Sequence, residues 1–337
     1  MQKCLSLAQL GEEWVAPNPM VGCVIVYKNA IVSEGYHQAY GQPHAEVNAF
    51  NNISSTIPIS DCEIYVSLEP CSHFGKTPPC ADLIISKRPK RVVIGMLDPN
   101  PKVAGSGIAK IRNSGIEVLF GVLEPECKLL NKKFICFHSN KRPYITLKWA
   151  ETSDGFMGRV PYENHKSKQI SSERNKAFVH YLRTVHTAIM VGANTINRDH
   201  PMLDVRHWKG NNPLKIVVSK ALNVNIDLPI FKTGFSLLLN GIKEEKEGNI
   251  EFVLCDDFSI FNLINTLYNK GVQSILVEGG AELLTQFIDS NLWDEAIVFR
   301  SNKEWKKGIK APLLGKNPIR SVKQNGDKIS FYENQWL

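Results

Sequence analysis

The sequence has no run of 18 or more consecutive apolar residues, so no membrane-spanning helix is expected. Its opening, Met1-Gln-Lys-Cys-Leu-Ser-Leu-Ala-Gln-Leu, is too short and too polar for a secretory signal. It reads instead as an amphipathic helix with Leu5, Ala8 and Cys4 turned inward. The eight cysteines follow no regular spacing, which argues against a disulfide framework and for a reducing cytoplasm. There is no Gly-x-Gly-x-x-Gly, so a standard Rossmann dinucleotide domain is not supported. Internal repeats, low-complexity tracts and long linkers are also missing. The net charge of +7 is spread along the chain. Its densest group, Lys303, Lys306, Lys307 and Lys310, is accompanied by a single aromatic, Trp305. A nucleic-acid surface would interleave more stacking rings, and small phosphorylated ligands explain the same excess.

What is present suits a globular enzyme. With 337 residues, 43% hydrophobic and 22% charged, the chain has length for two domains. The polar stretch Ser139-Asn140-Lys141-Arg142-Pro143 places a boundary between domains 1–142 and 143–337. In the first part, apolar runs at 21–27 and 31–36 flank a Lys28-Asn29 turn, a hairpin signal. A helix is expected from His44 to Phe50, a strand over 63–67, and a helix from Cys80 after Pro78-Pro79. Strands at 91–95 and 117–121 alternate with helices at 107–114 and 125–137. In the second part, strands are expected at 144–149, 187–191, 214–219, 251–255, 274–277 and 295–299. Helices are expected at 172–186, 258–269 and 281–289, the first carrying Ala177, Phe178, Tyr181, Leu182 and Val185 on a core-facing stripe.

His44-Ala45-Glu46, Glu69-Pro70-Cys71 and Cys80 carry the most chemistry. One imidazole and two thiolates are good zinc ligands, and three protein ligands leave the fourth position of a catalytic zinc open. Glu46, two residues beyond the imidazole, is placed to move protons between a water activated there and a substrate. The His-x-Glu…Pro-Cys pattern is that of zinc nucleoside and nucleobase deaminases, but eight residues separate the two thiols where two are usual. A purely structural zinc remains an alternative; His73, between the thiols, would be its fourth ligand.

Three glycine-bearing loops invite a phosphate reading. Gly105-Ser106-Gly107 precedes a helix and is either a phosphate cradle or, more simply, a tight loop. Val191-Gly192-Ala193-Asn194-Thr195 and Val277-Glu278-Gly279-Gly280-Ala281 leave strands, where ligands of open sheets gather. Each is also explained by a plain turn.

Along nearly its whole length the chain resembles the bifunctional deaminase/reductases of riboflavin biosynthesis. The first half is similar at 17–24, 34–37, 43–47 and 98–105. The most specific match is Leu68-Glu69-Pro70-Cys71-Ser72-His73-Phe74-Gly75-Lys76-Thr77-Pro78-Pro79-Cys80, whose long inter-cysteine loop is a family trait. The second half is similar at 144–150, 154–155, 170–171, 191–195, 199–206 and 277–280. The resemblance implies an N-terminal cytidine-deaminase-like three-layer α/β domain and a C-terminal dihydrofolate-reductase-like domain. It implies zinc and NADPH as cofactors and a phosphorylated pyrimidine ribotide as substrate, deaminated first and then reduced from ribosyl to ribityl. It further implies His44, Cys71 and Cys80 as zinc ligands, Glu46 as proton shuttle, and Asn18, His73, Lys76 and Thr77 as deaminase substrate contacts. In the reductase it points to Lys148, Ser167, Arg183, Leu203, Arg206 and Glu278 for substrate. Ala150, Gln169, Thr195, Asp199 and the Gly280-Ala281-Glu282-Leu283 turn are implied for the cofactor. Gln169 stands where many relatives have tryptophan, the match over 156–166 is poor, and the sequence after Arg300 diverges. A cytoplasmic homo-oligomer, dimer or tetramer, with no nucleic-acid or membrane partner is expected. The runner-up function is a nucleotide or tRNA deaminase with a non-catalytic second domain.

Overall fold

Lys28 and Asn29 both take positive φ, 49° and 63°, the geometry that lets a two-residue turn join right-twisted strands. On either side of it β1 (Gly22–Tyr27) and β2 (Ala30–Tyr36) pair antiparallel. They belong to a five-stranded sheet of order β2-β1-β3-β4-β5, completed by β3 (Glu63–Leu68), β4 (Arg91–Met96) and β5 (Glu117–Phe120). β1 pairs antiparallel with β3, and β3, β4 and β5 run parallel. The computed structural model describes residues 1–74, 78–100, 104–159 and 169–334. The chain divides into two compact units, Met1–Lys141 and Arg142–Leu337.

Strand alternation builds three layers in the first unit. Cys23 and Ile25 face one core with Ile64, Val66 and Ile94, covered by α2 (Ala45–Asn52), α3 (Cys80–Lys87) and α4 (Ser106–Asn113). Val24 faces the opposite side, where Cys4 and Leu7 of α1 (Gln2–Gln9) pack. Cys4, Leu5 and Ala8 are buried, the inward face expected of this helix. One expectation fails in detail. The helix read over 125–137 is two helices, α5 (Glu124–Leu130) and α6 (Lys132–Ser139), broken at Asn131. Asn131 is buried, and its amide brackets Met20, accepting the Met20 N–H at 2.8 Å and donating to its carbonyl at 2.9 Å.

In the second unit seven parallel strands form the body of a ten-stranded sheet: β6 (Tyr144–Glu151), β8 (Ala188–Gly192), β9 (Leu214–Val218), β10 (Ser236–Asn240), β12 (Ile250–Leu254), β13 (Ser274–Val277) and β14 (Glu295–Arg300). Their order is β12-β10-β9-β8-β13-β6-β14, flanked by β11 (Glu245–Glu247) at one edge and the hairpin of β16 (Arg320–Gln324) and β17 (Asp327–Glu333) at the other. A separate ladder joins β7 (Phe156–Gly158) to β15 (Ile309–Lys310). Both edge strands of the large sheet are charged and exposed.

Ile145, Leu147 and Trp149 of β6 pack on one face against Leu263 and Leu267 of α10 (Ile260–Asn269) and Leu284 and Phe287 of α11 (Ala281–Asp289). The intervening Lys148 and Ala150 therefore project to the other face, which carries α7 (Lys176–Thr184). The helix expected from 172 begins at Lys176, after a tight turn over 173–175. Buried Asn175 explains the delay: its side-chain amide donates to Asp327 of β17 at 2.7 Å. Two short helices, α8 (Ala193–Asp199) and α9 (Pro229–Lys232), complete the unit among the described residues.

Candidate functional sites

His44 occupies the cap position of α2, and Glu46 lies in that helix's first turn. Cys71 follows β3, and Cys80 is the first residue of α3, after Pro79. Two helix starts and one strand end thus bring the imidazole and both thiols together, their ligand atoms all within 4.8 Å of one another. His44 Nδ1 lies 3.3 Å from Cys80 Sγ and 3.7 Å from Cys71 Sγ. Bonds of about 2.0–2.3 Å to a tetrahedral zinc place such donors roughly 3.5–3.8 Å apart, so the set fits zinc. Among the described residues no fourth His, Cys, Asp or Glu joins the cluster, which leaves a position for water.

The surroundings favour thiolate at Cys71. Hydrogen bonding with Cys80, the backbone N–H of Cys80 at 3.3 Å and the neighbouring His44 bring the Cys71 thiol down to about 4 against its burial. The same Cys71 contact, with burial, pushes Cys80 up. Glu46 is buried, and burial followed by the nearby Cys71 raises its carboxyl above the ordinary carboxylate range. A carboxyl whose proton affinity is raised in this way is better suited to hold a proton and pass it on, as a shuttle must.

His37 extends the site, a role that sequence reasoning did not single out. Its Nδ1 is 3.1 Å from the carbonyl of Pro43, next to His44, and its Nε2 is 3.0 Å from the amide nitrogen of Asn18. Both contacts are satisfied when Nδ1–H donates and Nε2 accepts. Asn18 is thereby tied to His37, whose other ring nitrogen contacts the backbone next to His44. His73 is exposed on the loop after Cys71, while Lys76 and Thr77 lie outside the described residues. The loop at 105–107 binds an anion of the chain's own. The buried Glu69 carboxylate accepts the N–H groups of Gly105 at 2.9 Å, Gly107 at 2.9 Å, Ile108 at 3.2 Å and Asp98 at 3.2 Å. The phosphate-cradle alternative is thereby set aside.

A second site opens at the carboxyl ends of β6, β8, β9 and β13, a cleft of about 1170 Å³. Lys148, Arg183, Arg206 and Glu278 line it, as do Ala150, Gln169, Thr195, Asp199 and the 280–283 turn. Leu203 does not; its side chain is buried in the core with Ile189 and Val217. Ser167 lies outside the described residues. Further lining residues that the sequence did not flag are His180, Arg159, Arg198, Lys220 and Trp305.

At the centre, Arg183 grips Glu278 bidentately, Nε to Oε1 at 3.0 Å and Nη2 to Oε2 at 2.8 Å. Lys148 Nζ stands 4.0 Å from the same carboxylate. Burial would raise the Glu278 carboxyl, but Arg183 and Lys148 override it and hold it down to about 2. Burial lowers Lys148, with Glu278 opposing and Arg183 assisting. The two glycine loops meet beside this cluster. Glu278 N–H donates to Met190 O at 3.1 Å, and a Cβ on Gly279 would come within 3.1–3.2 Å of Val191 and Thr195. Gly280, with φ +69°, caps α11. Close glycine backbone, a helix start, the Thr195 hydroxyl and the cations Arg198 and Lys220 are groups of the kind that can hold a phosphate-bearing dinucleotide. This donor set fits NADPH.

Comparison with known proteins agrees in both halves. Residues 1–96 match the model of the cytidine and deoxycytidylate deaminase zinc-binding region, and residues 143–302 that of the RibD C-terminal domain. The chain is 37% identical to the riboflavin biosynthesis protein RibD of Aquifex aeolicus, covering 96% of this chain and 91% of that protein. It is 36% identical to the RibD of Actinobacillus pleuropneumoniae, over 96% and 88%. Among solved structures it is similar to a diaminohydroxyphosphoribosylaminopyrimidine deaminase/5-amino-6-(5-phosphoribosylamino)uracil reductase from Thermotoga maritima. That pair has a TM-score of 0.88 and 33% identity, over 99% of this chain and 97% of the other. Acinetobacter baumannii RibD gives a TM-score of 0.89 at 27% identity, over 99% and 98%.

Proposed function

The chain belongs to the RibD family of riboflavin biosynthesis, and from that premise we propose how its residues divide the work. The protein is a bifunctional enzyme, a zinc-dependent deaminase and an NADPH-dependent reductase. It acts on a phosphorylated pyrimidine, 2,5-diamino-6-ribosylamino-4(3H)-pyrimidinone 5′-phosphate, and then reduces the ribosyl group of the deaminated product to ribityl. The alternative of a nucleotide or tRNA deaminase with an inert second domain is not favoured, because the relatives align over both halves.

In the deaminase, His44, Cys71 and Cys80 hold the zinc. Zinc supplies a Lewis acid that makes water nucleophilic near neutral pH. Glu46 takes the proton from the attacking water and delivers it to the departing amino group, which leaves as ammonia. Asn18, oriented by His37, is the hydrogen-bonding partner for the pyrimidine, with His73, Lys76 and Thr77 on the ribotide. The observation that carries this half is the meeting of the three ligand atoms beside a buried carboxyl with a raised pKa.

In the reductase, NADPH supplies the hydride equivalent. The 280–283 turn, Thr195, Asp199, Ala150 and Gln169 hold it, while Arg206, Arg183 and Ser167 receive the ribotide; Leu203, buried in the core, shapes the segment that carries Arg206. Glu278, kept ionised by Arg183, steadies Lys148, whose ammonium is placed to protonate the ribose ring oxygen as the ring opens. Mass-spectrometric assay of the purified protein with the ribotide, with and without NADPH, tests both halves. Deaminated product should accumulate without NADPH and be converted to the ribityl compound with it. A cytoplasmic homo-oligomer, dimer or tetramer, belongs to the same reading. Eight cysteines with no disulfide between them, two of them assigned to zinc, suit a reducing compartment, and sedimentation reads the assembly.

A further inference from the structure

The segment that carries Arg206 has no strand partner. Residues 201–213 lie in neither helix nor strand, and Leu203 enters with φ +53°. Two side chains of α7, three residues apart and therefore on one face, stand in for that partner. Arg183 Nη1 donates to the Asp204 carbonyl at 3.0 Å. His180 Nδ1 accepts the Arg206 N–H at 3.1 Å and, at 3.5 Å, the His207 N–H. One α-helix thus gives the segment a donor and an acceptor, as an adjacent strand would. His180 is buried, meets the His207 ring edge-on at 4.8 Å between centroids, and lines the reductase cleft.

A ring nitrogen that accepts cannot carry a proton, so this imidazole is the neutral Nε2–H form. Its neighbours hold it there. Arg183 faces it from α7, Arg206, His207 and Asp204 from the 204–207 segment, and Glu278 from the end of β13. Burial and the cations, Arg183 first, bring its proton affinity down to about 4 against the opposing Asp204.

We propose that His180 is a positioning residue of the reductase. It fixes the Arg206 main chain so that the Arg206 guanidinium, tethered to Asp204, meets the anionic end of the ribotide. This rests on the reading of the second unit as a ribotide reductase. His180 acts through Arg206 and on the ribotide side of the cleft, not on the cofactor.

Full-length wild type, His180→Gln and His180→Leu, supplied with the deaminated ribosyl intermediate and NADPH, provide the test. Glutamine offers an acceptor oxygen near the place of Nδ1; leucine offers none. His180→Leu should raise KM for the intermediate about tenfold, the worth of one buried hydrogen bond, with kcat changed far less. NADPH affinity by fluorescence titration should stay within about twofold, and His180→Gln should recover most of the KM. Two-bond ¹H–¹⁵N spectra of labelled wild type should show, besides any metal-bound histidine, a neutral Nε2–H histidine persisting to pH 5 that is absent from both variants. An unchanged KM in folded His180→Leu, a loss that glutamine does not restore, or an Nδ1–H signal from His180 overturns the proposal. A wild type unable to reduce the intermediate overturns the reductase reading instead, and the spectra still decide the hydrogen bond.

Discussion

Glu69 Oε1 accepts the Gly107 N–H at 2.9 Å, so a side chain from the end of β3 sits where a bound anion would sit at the start of α4. Gly107 has no room for anything else: a Cβ there would lie 2.1 Å from the Pro70 carbonyl. The carboxylate serves four N–H donors, and Glu69 is two residues before Cys71. The clamp therefore ties the approach to Cys71 to the α4 side of the sheet.

Glu69→Ala should unfold the first unit at lower temperature and weaken zinc retention. Each buried donor left unpaired costs about 1–3 kcal/mol. Calorimetry with zinc analysis reads both effects. Added phosphate should leave the wild-type melting unchanged; stabilisation by phosphate would return the loop to the anion-site reading.

Purified wild type should carry one zinc per chain, and Cys80→Ala should lose it. Two remaining donors do not make a closed or catalytic site. Metal analysis by mass spectrometry checks this, and equal zinc in the variant would exclude Cys80 as a ligand.

Glu46→Gln should keep its zinc but deaminate at least about 100-fold more slowly, since acid–base catalysis is commonly worth 10²–10⁴. The amide has nearly the same shape but cannot cycle a proton. Given the deaminated intermediate directly, the same variant should still oxidise NADPH, because every described residue that lines the second cleft belongs to the second unit. Ammonia release and absorbance at the nicotinamide band report the two reactions separately.

Glu278 gives a pH dependence with a definite sign. Its carboxyl falls from an ordinary 4.5 to about 2, so the stability it contributes is complete above pH 4.5 and is lost as pH drops towards 2. The melting-temperature gap between wild type and Glu278→Gln should be widest above pH 5 and close on acidification. At neutral pH the variant should accumulate the deaminated intermediate. A gap that grows towards acid would contradict the ion pair with Arg183.

The grouping of His44, Cys71 and Cys80 was legible because its signals are local: His44 caps α2, Cys80 opens α3 after Pro79, and Cys71 follows β3, each beside a proline or strand pattern visible in the sequence. The break at Asn131 was not, because its cause is a pairing with Met20, 111 residues away. Nor was the filling of the 105–107 loop, since its anion comes from a carboxylate 36–39 residues upstream. His180 was hidden among the apolar stripe of its helix, where an inward histidine looks like core. The β16–β17 hairpin had a signal that went unused: Asn325-Gly326, with φ 52° and 86°, is the turn such hairpins favour. Divergence after Arg300 obscured it. Strand β10, Ser-Leu-Leu-Leu-Asn, is too short and uniformly apolar to separate from a buried helix turn.

The ten-stranded sheet stops growing by its own chemistry. Glu245-Lys246-Glu247 at one border and Arg320 to Gln324 at the other expose charge along both rows of unpaired backbone groups. An incoming strand would have to strip water from those side chains while supplying apolar neighbours to neither. Templated fibril growth from this sheet is thus disfavoured at both edges.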